Sequence, residues 1–307
     1  MSIAFLYAGQ GSQHPGMGAD LYETYPQFRA VLDGADLDFD VKEVSFQDSR
    51  GVLNETRYTQ PCMVAFAVGV TQILNHEGIR PDYVAGLSLG EYSARQAAGV
   101  FNPQQAISLV AFRGKVMAEA AKDVPCGMTA VLGLDREKLE QACEQASSLG
   151  VVAIANYNCP GQLVIGGHQE AVDEAARLAK EMGARRCMPL KVSGPFHTPL
   201  LKPAGDALAE KFKGETFGEM QVPVLFNCLG REMGPDDTIP ALLERQVQSS
   251  VYMEDTIRRL AELGVDTIVE IGPGKVLSGF VRKTTPEIKT YAVETVADVQ
   301  ALVQALK

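Results

Sequence analysis

The chain has 307 residues, enough for about two domains or one domain with an inserted piece, and its 46% hydrophobic and 21% charged content excludes a disordered, collagen-like or fibrous protein. Lys plus Arg number 28 against 38 Asp plus Glu, a net charge of −10, and no basic block offsets it. A phosphate backbone would be repelled, so general nucleic-acid binding is not expected. Six cysteines (Cys62, Cys126, Cys143, Cys159, Cys187 and Cys228) form no CxxC pair and no zinc spacing, and read as small buried hydrophobes. The opening residues lack the basic start and long apolar centre of a signal peptide. The longest apolar stretch, Cys62 to Val70, is about half of a membrane crossing, so the expected address is the cytoplasm, with no membrane partner.

Ile3 to Tyr7 reads as a buried strand opening into Gly9-Gln10-Gly11-Ser12. Thr59 to Leu74 reads as a helix with Pro61 near its first turn, Tyr83 to Ala85 as a second buried strand, and Glu91 to Ala98 as a helix close behind it. A further helix starts with Asn102 as N-cap and Pro103 in the first helical position. The pattern then changes. Strand Met128–Leu132, helix Arg136–Ser147, strands Val151–Asn156 and Gln162–Ile165, helix Glu170–Met182 and strand Arg185–Leu190 give β-α-β-β-α-β, the ferredoxin-like order, with a hairpin turn at Asn158 to Gly161. Beyond it come helix Pro203–Lys213, strand Val224–Asn227, helices Pro240–Val247 and Glu254–Leu263, strand Thr267–Ile271 and a C-terminal helix. The expected class is α/β: a large domain from 1–124 and 197–307, with a small ferredoxin-like domain, 125–196, inserted.

Gly86-Leu87-Ser88-Leu89-Gly90 lies between a strand and a helix. A strand-to-helix turn that sharp needs small residues two before and two after the serine, and it aims the hydroxyl and the first helical N–H groups at one point. Such a serine needs a base. His76 sits at a helix end and His168 starts a helix, each explicable without chemistry; His14, in the Gly-rich loop after the first strand, is harder to dismiss. His197 lies in Ser193-Gly194-Pro195-Phe196-His197-Thr198-Pro199, where the chain leaves the insert, and domain junctions favour active clefts. Arg113 falls at the edge of the apolar stripe of its helix. Either its head reaches water, or it is a guanidinium fork for a substrate carboxylate. Gly272-Pro273-Gly274-Lys275 lacks the hydroxyl and the upstream glycine of a Walker A loop, and Gly9-Gln10-Gly11 does not continue as a dinucleotide fingerprint.

Together these landmarks resemble the malonyl-CoA:acyl carrier protein transacylases over essentially the whole chain. The matching segments are Gly9 to Gln13, Gly86 to Ala94, Arg113-Gly114-Lys115, Pro195-Phe196-His197, Gln246 and Glu270 to Lys275. The resemblance implies an α/β-hydrolase-like core with a ferredoxin-like subdomain. It implies Ser88 as nucleophile, His197 as base and then acid, and Gln246 orienting His197 through its backbone carbonyl. The oxyanion hole would be the N–H groups of Gln10 and Leu89, and Arg113 would hold the malonyl carboxylate. Malonyl-CoA would be the substrate and an acyl carrier protein the partner of a monomer, with no metal or cofactor. Phe196 resembles the version that crowds out a methylmalonyl branch. Leu87 stands where many members have histidine, Ala8 where proline is frequent, and Ser250 to Met253 where Pro-Val-Arg-Trp is common. Arg185, Arg186, Lys191, Arg282 and Lys283 are the candidate docking cations for an acidic carrier. A serine esterase or thioesterase using the same elbow is the alternative, though hydrolase order puts a histidine near the chain end, and the last one here is His197. A non-catalytic carrier-binding module is the other.

Overall fold

The computed structural model describes residues 1–307. In chain order the elements are β1 (Ile3–Tyr7), α1 (Ala19–Thr24), α2 (Pro26–Asp33), α3 (Thr56–His76), β2 (Tyr83–Gly86), α4 (Gly90–Ala97) and α5 (Pro103–Ala121). Then come β3 (Cys126–Leu132), α6 (Arg136–Ala146), β4 (Val152–Cys159), β5 (Gln162–His168), α7 (Gln169–Glu181), β6 (Arg186–Pro189) and α8 (Lys202–Phe212). The chain closes with β7 (Leu225–Phe226), β8 (Arg231–Glu232), α9 (Ile239–Gln248), β9 (Val251–Tyr252), α10 (Met253–Glu262), β10 (Thr267–Ile271), α11 (Val276–Thr284), β11 (Lys289–Val293) and α12 (Val296–Leu306). Two compact units result: residues 1–115, 216–225 and 258–307, and residues 116–215 and 226–257.

The first unit is built on a parallel sheet in the order β11-β10-β1-β2. Every residue of β1 and β10 is buried, as strands covered on both faces require, which is why both read as unbroken apolar runs apart from Thr267 and Glu270. Helix α2 packs closely on α3 because Gly69 leaves room for Phe28; a Cβ there would lie 2.5 Å from its ring. Burying one such ring stabilises by about 2–3 kcal/mol. Tyr7 is in register with both Ile271 and Gly86, so the loops after β1, β2 and β10 leave the same edge of the sheet. The carboxyl edge of a parallel sheet is where such folds carry their ligands.

The second unit holds a sheet in the order β6-β3-β5-β4-β9, antiparallel except for the β4–β9 pair. Helices α6 and α7 pack on it over a core that includes Leu139, Cys143, Ile154, Leu163, Ile165, Val172 and Ala179. The departure Ser250 to Met253 has a local account: Tyr252 stacks on Tyr157 at 4.9 Å with rings 13° apart, and Arg136 lies over the Tyr157 ring while pairing with Glu254 and Asp255.

Several expectations shift. Helix α3 starts at Thr56, three residues earlier than expected, so Pro61 is its sixth residue and lies inside it. The expected single C-terminal helix is α11 and α12 with β11 between them, an edge strand whose residues are mostly half-exposed and so lack a buried run. Helices α1 and α2 were not expected. The Asn102 cap is as read: its Oδ1 accepts from Gln105 N at 2.8 Å. No helix is long and apolar enough to cross a membrane. All six cysteines are free thiols, four buried and two half-buried, and burial pushes the Cys62 and Cys143 thiols up to about 12.

Candidate active site

Ser88 lies two residues past the end of β2, in a turn so tight that its own backbone is left-handed, φ 54°, in a non-glycine residue. That conformation costs of order 1 kcal/mol or more and persists only where the surroundings over-determine it. Here they do. A Cβ at Gly86 would lie 2.1 Å from the carbonyl carbon of Gly90, and one at Gly90 would lie 2.3 Å from Tyr7 O, so both positions must be glycine for α4 to start against β1 and β2. Leu87 N donates to Tyr7 O at 2.9 Å and Ala8 N to Ile271 O at 3.0 Å, which locks the elbow and the Gly9-Gln10 loop to the sheet edge. Leu89 is the N-cap of α4, where amides have no acceptor within the helix and the dipole favours negative charge.

Arg113 is fully buried, head included, which removes the reading with its head in water. Its Nη1 donates to Gln60 Oε1 at 2.9 Å and its Nη2 to Ser88 Oγ at 3.1 Å. The guanidinium also lies 5.6 Å from the Tyr92 ring centroid, within cation–π range. Gly114 makes this reach possible: a Cβ there would lie 2.8 Å from Thr56 O, so α5 approaches α3 closely and brings Arg113 to Gln60. Burial lowers the Arg113 guanidinium from its ordinary value, and burial raises the Tyr92 phenol to about 12, an effect the Arg113 charge partly offsets. Beside the elbow is a hollow of about 200 Å³ lined by residues including Gln10, Leu87, Val276 and Leu277. Gln10 is anchored through its Nε2, which donates to Thr56 Oγ1 at 3.1 Å.

In the second unit His197 is also left-handed, φ 59°, and buried. Its Nδ1 is 2.9 Å from Gln246 O. A carbonyl can only accept, so Nδ1 carries a hydrogen, and in the neutral ring this leaves the lone pair on Nε2, the tautomer a general base needs. Gln246 is fully buried in α9, its Nε2 3.5 Å from Asn227 Oδ1, and Thr198 Oγ1 donates to Pro195 O at 2.6 Å. Phe196 is buried; Gly194 precedes it because a Cβ there would lie 3.0 Å from its ring.

The other histidines are accounted for locally. His76 ends α3, His168 Nδ1 accepts from Val151 N at 2.9 Å, and exposed His14 pairs with Glu294, which raises its pKa. Glu270, fully buried in β10, caps α11 by accepting from Leu277 N and Ser278 N at 2.9 and 2.7 Å, which explains the Gly-Pro-Gly turn as a structural one. Sequence reasoning missed Gln60, Tyr92 and the Glu91–Arg95 ion pair. Glu91 and Tyr92 lay inside the Gly86 to Ala94 segment and Arg95 just beyond it, where charged residues one turn apart after the serine were the available signal; Gln60 carried none.

A family profile described as the acyl transferase domain matches residues 4–302. A malonyl CoA-acyl carrier protein transacylase of Bacillus subtilis (strain 168) is 41% identical over 308 residues, covering 99% of this chain and 97% of that protein. The structure of MCAT from Streptococcus pneumoniae superposes with a TM-score of 0.95 at 45% identity, covering 99% of this chain and 100% of that one. A malonyl-transacylase solved in complex with its type II PKS acyl-carrier protein gives a TM-score of 0.95 at 37% identity, with 99% and 100% covered. With full-length similarity of this kind, the chain belongs to the malonyl-CoA:acyl carrier protein transacylase family.

Proposed function

We propose that the protein moves a malonyl group from malonyl-CoA, through an ester on Ser88, to the phosphopantetheine thiol of an acyl carrier protein. Ser88 Oγ attacks the thioester carbonyl while His197 Nε2 takes its proton. The tetrahedral oxyanion is held by the N–H groups of Gln10 and Leu89, and its collapse expels the CoA thiolate, which takes the proton back from His197. The carrier thiol then repeats the sequence in reverse, giving a ping-pong cycle. Gln246 orients the imidazole through its carbonyl, the role a carboxylate plays in a serine triad. Phe196 narrows the acyl site against branching. No metal or cofactor takes part.

The observation that carries this reading is a fully buried guanidinium donating to the hydroxyl of the elbow serine at 3.1 Å. A hydrolase acting on neutral esters has no use for a buried cation there, because desolvating it costs several kcal/mol; an acyl group with its own carboxylate offsets that cost by a bidentate pair. The architecture that serves it is read as an α/β-hydrolase-like domain, 1–124 and 197–307, with 125–196 as a ferredoxin-like insert. Support for the insert is the strand order β6-β3-β5-β4 with α6 and α7 on one chain segment. The protein works as a cytoplasmic monomer and meets its acidic carrier through exposed cations such as Arg185, Arg186, Lys191, Arg282 and Lys283.

The test is Arg113→Ala, assayed with malonyl-CoA and acetyl-CoA against the same carrier. Malonyl transfer should fall by about 2–4 kcal/mol in transition-state stabilisation, with acetyl transfer spared or raised. Equal losses for both acyl groups would refute the carboxylate role.

A further inference from the structure

Helix α4 carries a charge pair that the proposed chemistry does not use. Arg95 lies one turn after Glu91, and both side chains are fully buried. The Arg95 Nη2 donates to Glu91 Oε1 and its Nη1 to Glu91 O at 3.2 Å. A buried ion pair is weak as a stabiliser, since a well-packed apolar pair of similar volume often serves as well or better, so its presence beside a nucleophile calls for another reason. Tyr92, the residue next to Glu91, places its ring 5.6 Å from the Arg113 guanidinium. Glu91, Arg95 and Arg113 are all fully buried, and the charges of the three sum to one net positive charge. The direction of influence agrees: Glu91 favours the charged form of Arg113 and Arg95 opposes it.

We propose that Arg95 is a specificity-determining positioning residue: by holding the Glu91 carboxylate it keeps that anion off Arg113, so the preference for an acyl group bearing a carboxylate depends on the net charge of the Glu91, Arg95 and Arg113 cluster. The proposal rests on the reading of Arg113 given above. Without Arg95, the buried Glu91 carboxylate loses this ion pair. It turns toward the nearest cation, and the substrate carboxylate then enters a cluster with no net positive charge and a competing carboxylate already in it. A merely mechanical role for Arg95 makes a different forecast, because lost packing slows every acyl group alike.

The experiment measures kcat and KM of the full chain for malonyl-CoA and acetyl-CoA with one carrier, in a series graded by cluster charge. R95M removes the net positive charge, E91Q/R95M restores it with a neutral pair, and E91Q raises it by one. The malonyl-to-acetyl ratio of kcat/KM should fall about tenfold in R95M, through KM for malonyl-CoA, as expected for one unit charge removed at a separation of roughly 10 Å in a partly shielded site. It should return to within about threefold of the parent in E91Q/R95M and rise above both the parent and E91Q/R95M in E91Q. If R95M does not fold, the remaining three proteins still decide, because E91Q must exceed E91Q/R95M. A flat ratio across the series, or a fall in R95M that the second substitution does not repair, overturns the proposal. R113A separates the two readings: a ratio it does not move brings down the role of Arg113 and this inference with it, whereas a ratio it moves beside a flat charge series overturns the role of Arg95 alone.

Discussion

Ser88 and His197 share a left-handed backbone that side chains rarely adopt, φ 54° and 59°, yet the two are held there by different means. Ser88 is fixed by backbone against backbone: Gly86 and Gly90 let β2 turn into α4 beside Tyr7, and no side chain larger than hydrogen fits at either position. His197 is fixed by a hydrogen bond to Gln246 O, 49 positions further along, with the Thr198 hydroxyl on Pro195 O tightening the turn. Strain in the first case is written into five consecutive residues. In the second it depends on where α9 sits, and a single atom of the main chain supplies the anchor.

That contrast predicts unequal sensitivity to substitution. The largest effect belongs to the elbow: Gly90→Ala should lower stability by at least about 3 kcal/mol and abolish transfer, since the new methyl meets rigid carbonyls rather than a side chain that can move. A folded, active Gly90→Ala protein in a thermal melt and transfer assay would show that the turn is looser than its contacts indicate. Gln246→Ala should do far less to catalysis, because the acceptor is the backbone carbonyl and survives the change. We expect kcat within about threefold of the parent, together with about 1–3 kcal/mol of lost stability from removing a buried amide. A collapse of kcat with stability unchanged would mean that the Gln246 side chain, not its carbonyl, positions the imidazole.

The same contrast governs how much could be read from the sequence. The elbow was legible because its demands are local: glycines at fixed offsets, an apolar strand before and a helix after. The alternating order of β3 to β6 with α6 and α7 was legible for the same reason, each element carrying its own periodicity. Strand β9 was not, since two residues have no period, and only pairing with β4 defines them. Arg113 was legible as a candidate but its burial was not. Its place at the edge of a helical stripe fits either a solvated head or a buried one, and what decided between them was Gly114, which brings α5 against Thr56. Glu91 and Arg95 look like a surface pair one turn apart; only the packing around α4 shows both to be fully buried.

The most direct measurement of the central claim is the fate of the protein after brief exposure to malonyl-CoA without carrier, followed by intact-mass and peptide analysis. The account predicts one malonyl group in ester linkage on the peptide containing Ser88, released when the carrier bearing its phosphopantetheine thiol is added. An active protein that carries no adduct, or carries it on another residue, would contradict it.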